Sequence, residues 1–428
     1  MRWRNHIKNV YGGRSECDTK RDSATPAVSL GGGNMLETHR RVISRVIPGL
    51  VFACGIHLAS GPVLGQAPEW SLRLGVAIGS VDDPVYGLST VRDVLADADY
   101  VYVLLGQEGR VRVFTRAGEF VRDLGGRGEG PGELMTPSSM GWRGSRLWVA
   151  DVELRRFTLF DVATGEAETI PYDVDAPLAS HFLSVVPRAI LANGGLVGSP
   201  TYSGTRVVAR GGIWHLPLLV SDTMGTLRDT LALLSLGGGP VEIRAGLAPN
   251  ARQQLMHSLP DDDRITFAPD GSAAVRVKRR SWDGSGLAEF EVARIGVRGD
   301  TLLQRRIGYE PRRVPEGFFA DEISRKLDWQ AIVDRRAYVR ALREFYEQRR
   351  YFPPVTTVRA GSDGTTWLAG PDDGHERVWL VLDGAGSSIG RFRLPTTSQV
   401  SYANRAEVWV VEKDALDIPY VVRYDIVP

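Results

Sequence analysis

The sequence predicts an all-β protein, a six-bladed β-propeller of four-stranded antiparallel blades. Three observations carry that expectation. A ten-residue pattern of a two-residue approach, a turn and a short apolar strand recurs six times, a second pattern of strand, turn and strand follows it, and a spare strand near the start matches one missing at the end.

Copies of the first pattern span residues 95–104, 141–150, 191–200, 267–276, 360–369 and 402–411. Their centres carry pairs such as Asp270-Gly271, Gly194-Gly195 and Asp363-Gly364, residue types that accept positive φ and so close tight turns. Alternating or continuous apolar residues follow over the length of a strand. The second pattern covers residues 111–118, 157–165, 218–225, 292–299 and 379–386, each with an Asp- or Gly-rich turn. It leads into closing strands at 120–124, 167–171, 228–234, 302–307 and 389–394. The sixth unit has a third strand at 420–425 and then ends at Pro428. An unfinished blade leaves a row of unpaired backbone N–H and C=O groups. The extra strand at 70–79 can cover that edge, so residues 72–78 are expected to pair with 420–424 and close the ring.

Most units lie ~40–50 residues apart, the usual spacing of propeller blades. Two gaps are longer. Residues 236–260 form a Gly/Pro-rich loop ending in Asp261-Asp262-Asp263, and residues 316–350 carry a helical pattern. Asp321 is the expected cap of that helix. Ile323, Leu327, Ile332, Tyr338, Leu342, Phe345 and Tyr346 form its apolar face, and Arg335, Arg336, Arg340 and Arg343 its other face. Glu344, Glu347, Asp328 and Asp334 nearly cancel those charges, so a solvated helix surface is expected on the outside or one face of the ring.

The first 67 residues are organised differently. Residues 1–34 are polar and aperiodic, an expected disordered extension before a start at Met35. Residues 35–67 follow the plan of a secretory signal: basic residues at Arg40, Arg41 and Arg45, an apolar stretch from Val46 to Leu64, and Gly65-Gln66-Ala67 as the cut. The propeller is then expected to occupy 68–428 of an exported chain, periplasmic or extracellular. The alternatives are an N-terminal membrane anchor, or a lipoprotein signal around Val51-Phe52-Ala53-Cys54. Both cysteines, Cys17 and Cys54, precede Ala67. The exported domain would hold no disulfide, thiolate nucleophile or cysteine-bound metal.

Composition narrows the partners. At 43% hydrophobic and 24% charged, with 48 glycines, the chain has the make-up of a turn-rich folded protein. A formal net charge of +1 gives no global attraction to nucleic acid. A protein or small-molecule ligand is expected instead, with no membrane span in the exported part and a monomeric state.

Two segments carry a family resemblance. Residues 147–161 (Leu147-Trp-Val-Ala-Asp-Val-Glu-Leu-Arg-Arg-Phe-Thr-Leu-Phe-Asp161) resemble the NHL repeat. Residues 125–134 (Gly125-Gly-Arg-Gly-Glu-Gly-Pro-Gly-Glu-Leu134) resemble the inter-blade segment of exported bacterial six-bladed propellers of that group. The resemblance covers 70–428 and is sharpest over 100–161. The third and fourth units depart from it, with Gly198 and Ala274 where others place Tyr or Trp. It implies fold and location more than chemistry.

Candidate ligand-binding residues come from those segments. Arg127, Glu129 and Glu133 stand on the glycine-rich loop, and Asp151, Arg155 and Arg156 on the NHL-like repeat. The competing reading makes the loop a connector whose glycines supply backbone geometry. The resemblance likewise implies that the Asp and Arg knit strands within a blade. No P-loop, Gly-x-Ser-x-Gly or His-Glu-x-x-His motif occurs. His181, His215, His257 and His375 lack metal-ligand spacing, and Asp261–Asp263 and Asp372-Asp373 read as solvated loops. No cofactor is signalled. The expected function is therefore a ligand-binding or protein-interaction module. The alternatives are a lactonase- or lyase-like enzyme with a divalent metal in the channel, and a structural envelope domain.

Overall fold

The computed structural model describes residues 67–174, 184–201, 214–237, 241–259, 261–280, 282 and 284–428. The expected extension 1–34, and all of the export signal but Ala67, lie outside them.

Strand β1 (Ser71–Ile78) comes first. Blade 1 follows, with β2 (Val91–Ala96), β3 (Tyr100–Leu105), β4 (Arg110–Thr115) and β5 (Phe120–Gly125). Blade 2 holds β6 (Pro137–Arg143), β7 (Arg146–Asp151), β8 (Arg156–Asp161) and β9 (Ala167–Pro171). Blade 3 holds β10 (Ser184–Ile190), β11 (Leu196–Thr201), β12 (Trp214–Ser221) and β13 (Leu227–Leu236). A ribbon of β14 (Val241–Ile243) and β15 (Gln253–Leu255) precedes blade 4, which is β16 (Arg264–Phe267), β17 (Ala273–Arg279), β18 (Ala288–Gly296) and β19 (Thr301–Tyr309). Helices α1 (Ala320–Arg325) and α2 (Arg335–Glu347) come next. Blade 5 is β20 (Thr357–Ala360), β21 (Thr366–Ala369), β22 (Glu376–Leu382) and β23 (Ser388–Pro395). Blade 6 is β24 (Gln399–Ala403), β25 (Glu407–Lys413) and β26 (Pro419–Val427), with β1 as its fourth strand. The molecule is a six-bladed propeller of four-stranded antiparallel sheets.

Turn chemistry repeats from blade to blade. In blades 2, 3 and 5 an aspartate at the end of the third strand, or just after it, accepts two backbone N–H bonds from the next turn: Asp161 from Ala163 and Thr164, Asp222 from Met224 and Thr226, Asp383 from Ala385 and Ser387. Asp414 does the same after the second strand of blade 6. These are side-chain mimics of a backbone turn, which is why Asp recurs there.

The core lies between blades. Tyr102, Trp148, Trp367 and Trp409 occupy matching positions on second strands and are buried between neighbouring sheets. At the two departures the space is filled otherwise. Tyr172, arriving from the end of blade 2, lies against Gly198, and Ala274 joins the cluster that blades 2, 3 and 4 share.

The ring closes as expected. Leu74 pairs with Tyr424, Ala77 with Val422 and Ile78 with Val421. The preceding residues also grip blade 5: Trp70 N donates to Arg391 O (2.7 Å) and Arg391 N to Pro68 O (2.9 Å). The Trp70 ring rests on Gly390, where any Cβ would overlap it, and meets Trp367 edge to face.

The two long gaps fold together. Ile243, Leu247 and Leu255 from the first share a core with Phe319, Tyr338, Leu342, Phe345 and Tyr346 from the second. The expected single helix is two. Val333 N and Asp334 N both donate to Gly246 O, and Ala248 N donates to Ala331 O, so residues 331–334 leave the helix to bond the first segment. Asp334, rather than Asp321, then caps the longer helix, accepting from Arg336 N and Ala337 N. Asp321 lies in the first turn of α1. The expected solvated Asp261–Asp263 loop is an anchor instead. Asp261 pairs with Arg279 of blade 4 and Arg349 beyond α2, each at 2.5 Å, while Asp263 is buried and accepts from Ser235 N.

Candidate axial site

The first strand of each blade lines the axis, and side chains on a strand point alternately to its two faces. Four of these strands break the alternation with an extra residue, between Val91 and Asp93, Pro137 and Ser139, Pro187 and Ala189, and Val400 and Tyr402. A bulge of this kind re-aims side chains. Three of the bulged residues, Ser138, Arg188 and Ser401, line an axial cavity of about 340 Å³.

All six blades contribute to its wall. Leu95, Met140, Leu216, Leu218, Ile265 and Phe267 are among its apolar residues, and Asp93, Ser139, Arg188, Ser199, Arg359 and Ser401 are its main polar side chains. The turn after β16 leans across the axis. Pro269 O accepts from Trp142 N of blade 2 (2.7 Å) and Gly271 O from Ala192 N of blade 3 (2.9 Å), which places Ala268 and Pro269 in the wall.

Asp93 ties three blades. Its Oδ1 accepts from Ser401 Oγ (3.1 Å) and Val94 N (3.1 Å), and its Oδ2 from Met140 N (3.3 Å). Burial pushes its carboxyl above the usual value, against the opposing pull of the Arg359 cation and these hydrogen bonds. The two arginines are held alike. Arg188 Nε donates to Ser199 Oγ (2.7 Å), and Arg359 Nε to Val400 O (2.8 Å). Burial lowers the Arg188 pKa from its ordinary value.

The sequence-derived candidates stand elsewhere: Arg127, Glu129 and Glu133 on the connector between blades 1 and 2, and Asp151, Arg155 and Arg156 at the β7–β8 hairpin of blade 2. Arg127 donates to Gln107 O and Met135 O, and Glu133 accepts from Gly130 N. Arg156 donates to Glu129 O, Gly130 O and Glu133 O, while the Glu129 side chain is exposed. Asp151, fully buried, accepts from the backbone N–H groups of Met135, Thr136, Glu153 and Leu154. Arg155 takes a left-handed φ of 46° and pairs with Asp173 at 3.6 Å. The loop glycines Gly125 and Gly132 have φ of 78° and 77°. None of these six candidates lines the axial cavity. Asp93, Arg188, Arg359 and Ser401 were missed because each is one polar residue in or beside a predicted strand. The sequence gives no signal for a bulge.

Among the described residues no three His, Cys, Asp or Glu side chains gather closely enough to hold a metal ion. His215 lies on β12, His257 after β15 and packed against the helical segment, and His375 just before β22, while His181 falls outside the described residues. A second concavity, a groove of about 900 Å³, lies on the insertion between α1, α2 and residues 313–317.

No family model matches the sequence, and no curated relative matches it either. Solved structures align with it at low identity. A protein described as exported, from Bacteroides fragilis, aligns at 10% identity over 85% of this chain and 99% of its own, with a TM-score of 0.43. A DUF4221-family member from Bacteroides vulgatus aligns at 10% identity over 84% and 99%, also at 0.43. The aldose sugar dehydrogenase of Streptomyces coelicolor, solved with PQQ bound, aligns at 9% identity over 84% and 100%, at 0.40.

Proposed function

We propose that this chain is an exported, NHL-like propeller that acts as a binding module and takes a small ligand into its axial cavity. Export is supported by the basic, apolar and small-residue sequence of positions 35–67. No helix among the described residues is long and apolar enough to cross a membrane. The observation that carries the binding reading is the cavity wall: apolar side chains interrupted by a few polar groups from different blades. That is the composition of small-molecule sites, and about 340 Å³ lies at the lower end of their ~300–1,000 Å³ range. A metal-dependent channel enzyme would draw several acidic, Asn or His ligands into the same wall; the described wall contributes Asp93 alone of the acidic and histidine residues.

A fragment screen by crystal soaking, with neutral and charged compounds, tests this reading. Fragments are expected to collect between Asp93, Arg188 and Arg359, and A360W, which fills the cavity, is expected to abolish their binding. A screen in which no fragment enters the cavity overturns the proposal.

A further inference from the structure

We infer that the axial cavity selects a compact organic carboxylate, held by the terminal Nη groups of Arg188 and Arg359. This rests on the ligand-binding reading above and names the chemistry of the ligand.

The argument starts from the guanidinium group, which is planar and carries five N–H donors. Both arginines spend the Nε donor on the wall, Arg188 on Ser199 Oγ and Arg359 on Val400 O. That bond fixes the plane of each group and leaves the two-pronged Nη end available. Among the described residues neither Nη end makes a hydrogen bond, and neither arginine has a carboxylate within 4.0 Å. Two chain positions 171 residues apart, on blades 3 and 5, thus present the same anchored fork to one cavity.

Charge accounting points to an anion. The described wall holds two cations and one carboxylate, and Asp93 already accepts three hydrogen bonds from Ser401, Val94 and Met140. Arg359 interacts with the Asp93 charge, while Arg188, an exposed residue, has no carboxylate partner among the described residues, so an arriving anion meets an excess of positive charge. A carboxylate matches a guanidinium edge with two parallel N–H···O bonds. A phosphate presents further charged oxygens, which Leu216, Leu218, Ile265 and Phe267 cannot solvate. Those same residues suit an apolar body. With each fork positioned in advance, less ordering remains to be done on binding.

NMR titration of the full chain with 3-phenylpropionate, 3-phenylpropan-1-ol and inorganic phosphate decides the matter. The carboxylate is expected to bind at least tenfold more tightly than the alcohol, with phosphate failing to displace it. R188Q and R359Q are each expected to weaken carboxylate binding at least tenfold and alcohol binding much less, and the dispersed NMR spectrum of each variant shows that it remains folded. Equal binding of carboxylate and alcohol, or carboxylate binding indifferent to both substitutions, overturns the inference while leaving the cavity as a binding site. So does displacement by phosphate. If neither organic probe perturbs the Met140 methyl signal, the inference and the cavity reading fall together.

Discussion

At the residue scale, the polar side chains divide between those that have spent their hydrogen bonds and those that keep some. Asp151 belongs to the first kind. Its carboxylate satisfies four backbone N–H groups, two on the connector from blade 1 and two in the β7–β8 turn. Replacing it strands those donors in a buried place, each worth ~1 kcal/mol or more. D151A is expected to lower unfolding free energy by about 3 kcal/mol, read as a shift in guanidinium midpoint at unchanged slope. Arg188 and Arg359 belong to the second kind, since each has only its Nε tied to the wall. In the sequence Asp151 is marked by the NHL-like repeat, and nothing comparable marks Arg188 or Arg359. A glycine-rich loop draws attention because its composition is unusual, whereas one arginine in a strand resembles any surface arginine.

At the element scale, the helical insertion has its own core, centred on His257. Leu259 N donates to its Nδ1 (3.1 Å), so the ring proton sits on Nε2, which donates to Tyr346 O (3.1 Å). Phe319, Phe345 and Tyr346 surround the ring at 5.1–5.4 Å between centroids. Burial holds its pKa below the ordinary 6.5; Arg349 lowers it further, while the Tyr346 carbonyl, Glu322 and Asp261 oppose the shift. The unfolded chain therefore binds this proton first as pH falls. Stability from His257 is complete above about pH 6.5 and drains away below it, until the folded imidazole itself protonates. Hydrogen exchange of α2 amides, corrected for intrinsic rates, is expected to lose up to about tenfold in protection from pH 7.5 to 5.5. H257F is expected to lower protection at both pH values and to remove that difference. A pH-independent wild-type protection would contradict this account. The helical periodicity here was legible in the sequence, but the break at 331–334 was not, because it is made by carbonyl and N–H groups of residues 246–248.

At the scale of the whole molecule, stability depends on closure. Each sheet buries its faces against its neighbours, and residues 68–78 both complete blade 6 and fasten blade 5. Trp70 is the fastener, packed on Gly390 and Trp367. W70A is expected to cost about 3–5 kcal/mol, the usual loss for a buried Trp reduced to Ala. It should also speed hydrogen exchange in β1 and β26 ahead of blades 2 and 3. A loss spread evenly over all blades would show that closure does not act through this strand.

Blade number, the Asp-based turns and closure by the N-terminal strand follow from the sequence alone, because each is written in neighbouring residues as a repeated local preference. What only the tertiary structure decided is the axial site. Asp93, Arg188, Arg359 and Ser401 come from four blades, and Arg188 and Ser401 reach the cavity through bulges that no local pattern marks. Convergence of that kind is a property of the closed ring: it depends on the angle between blades and on strand register, and both are set by packing between sheets far apart in the chain.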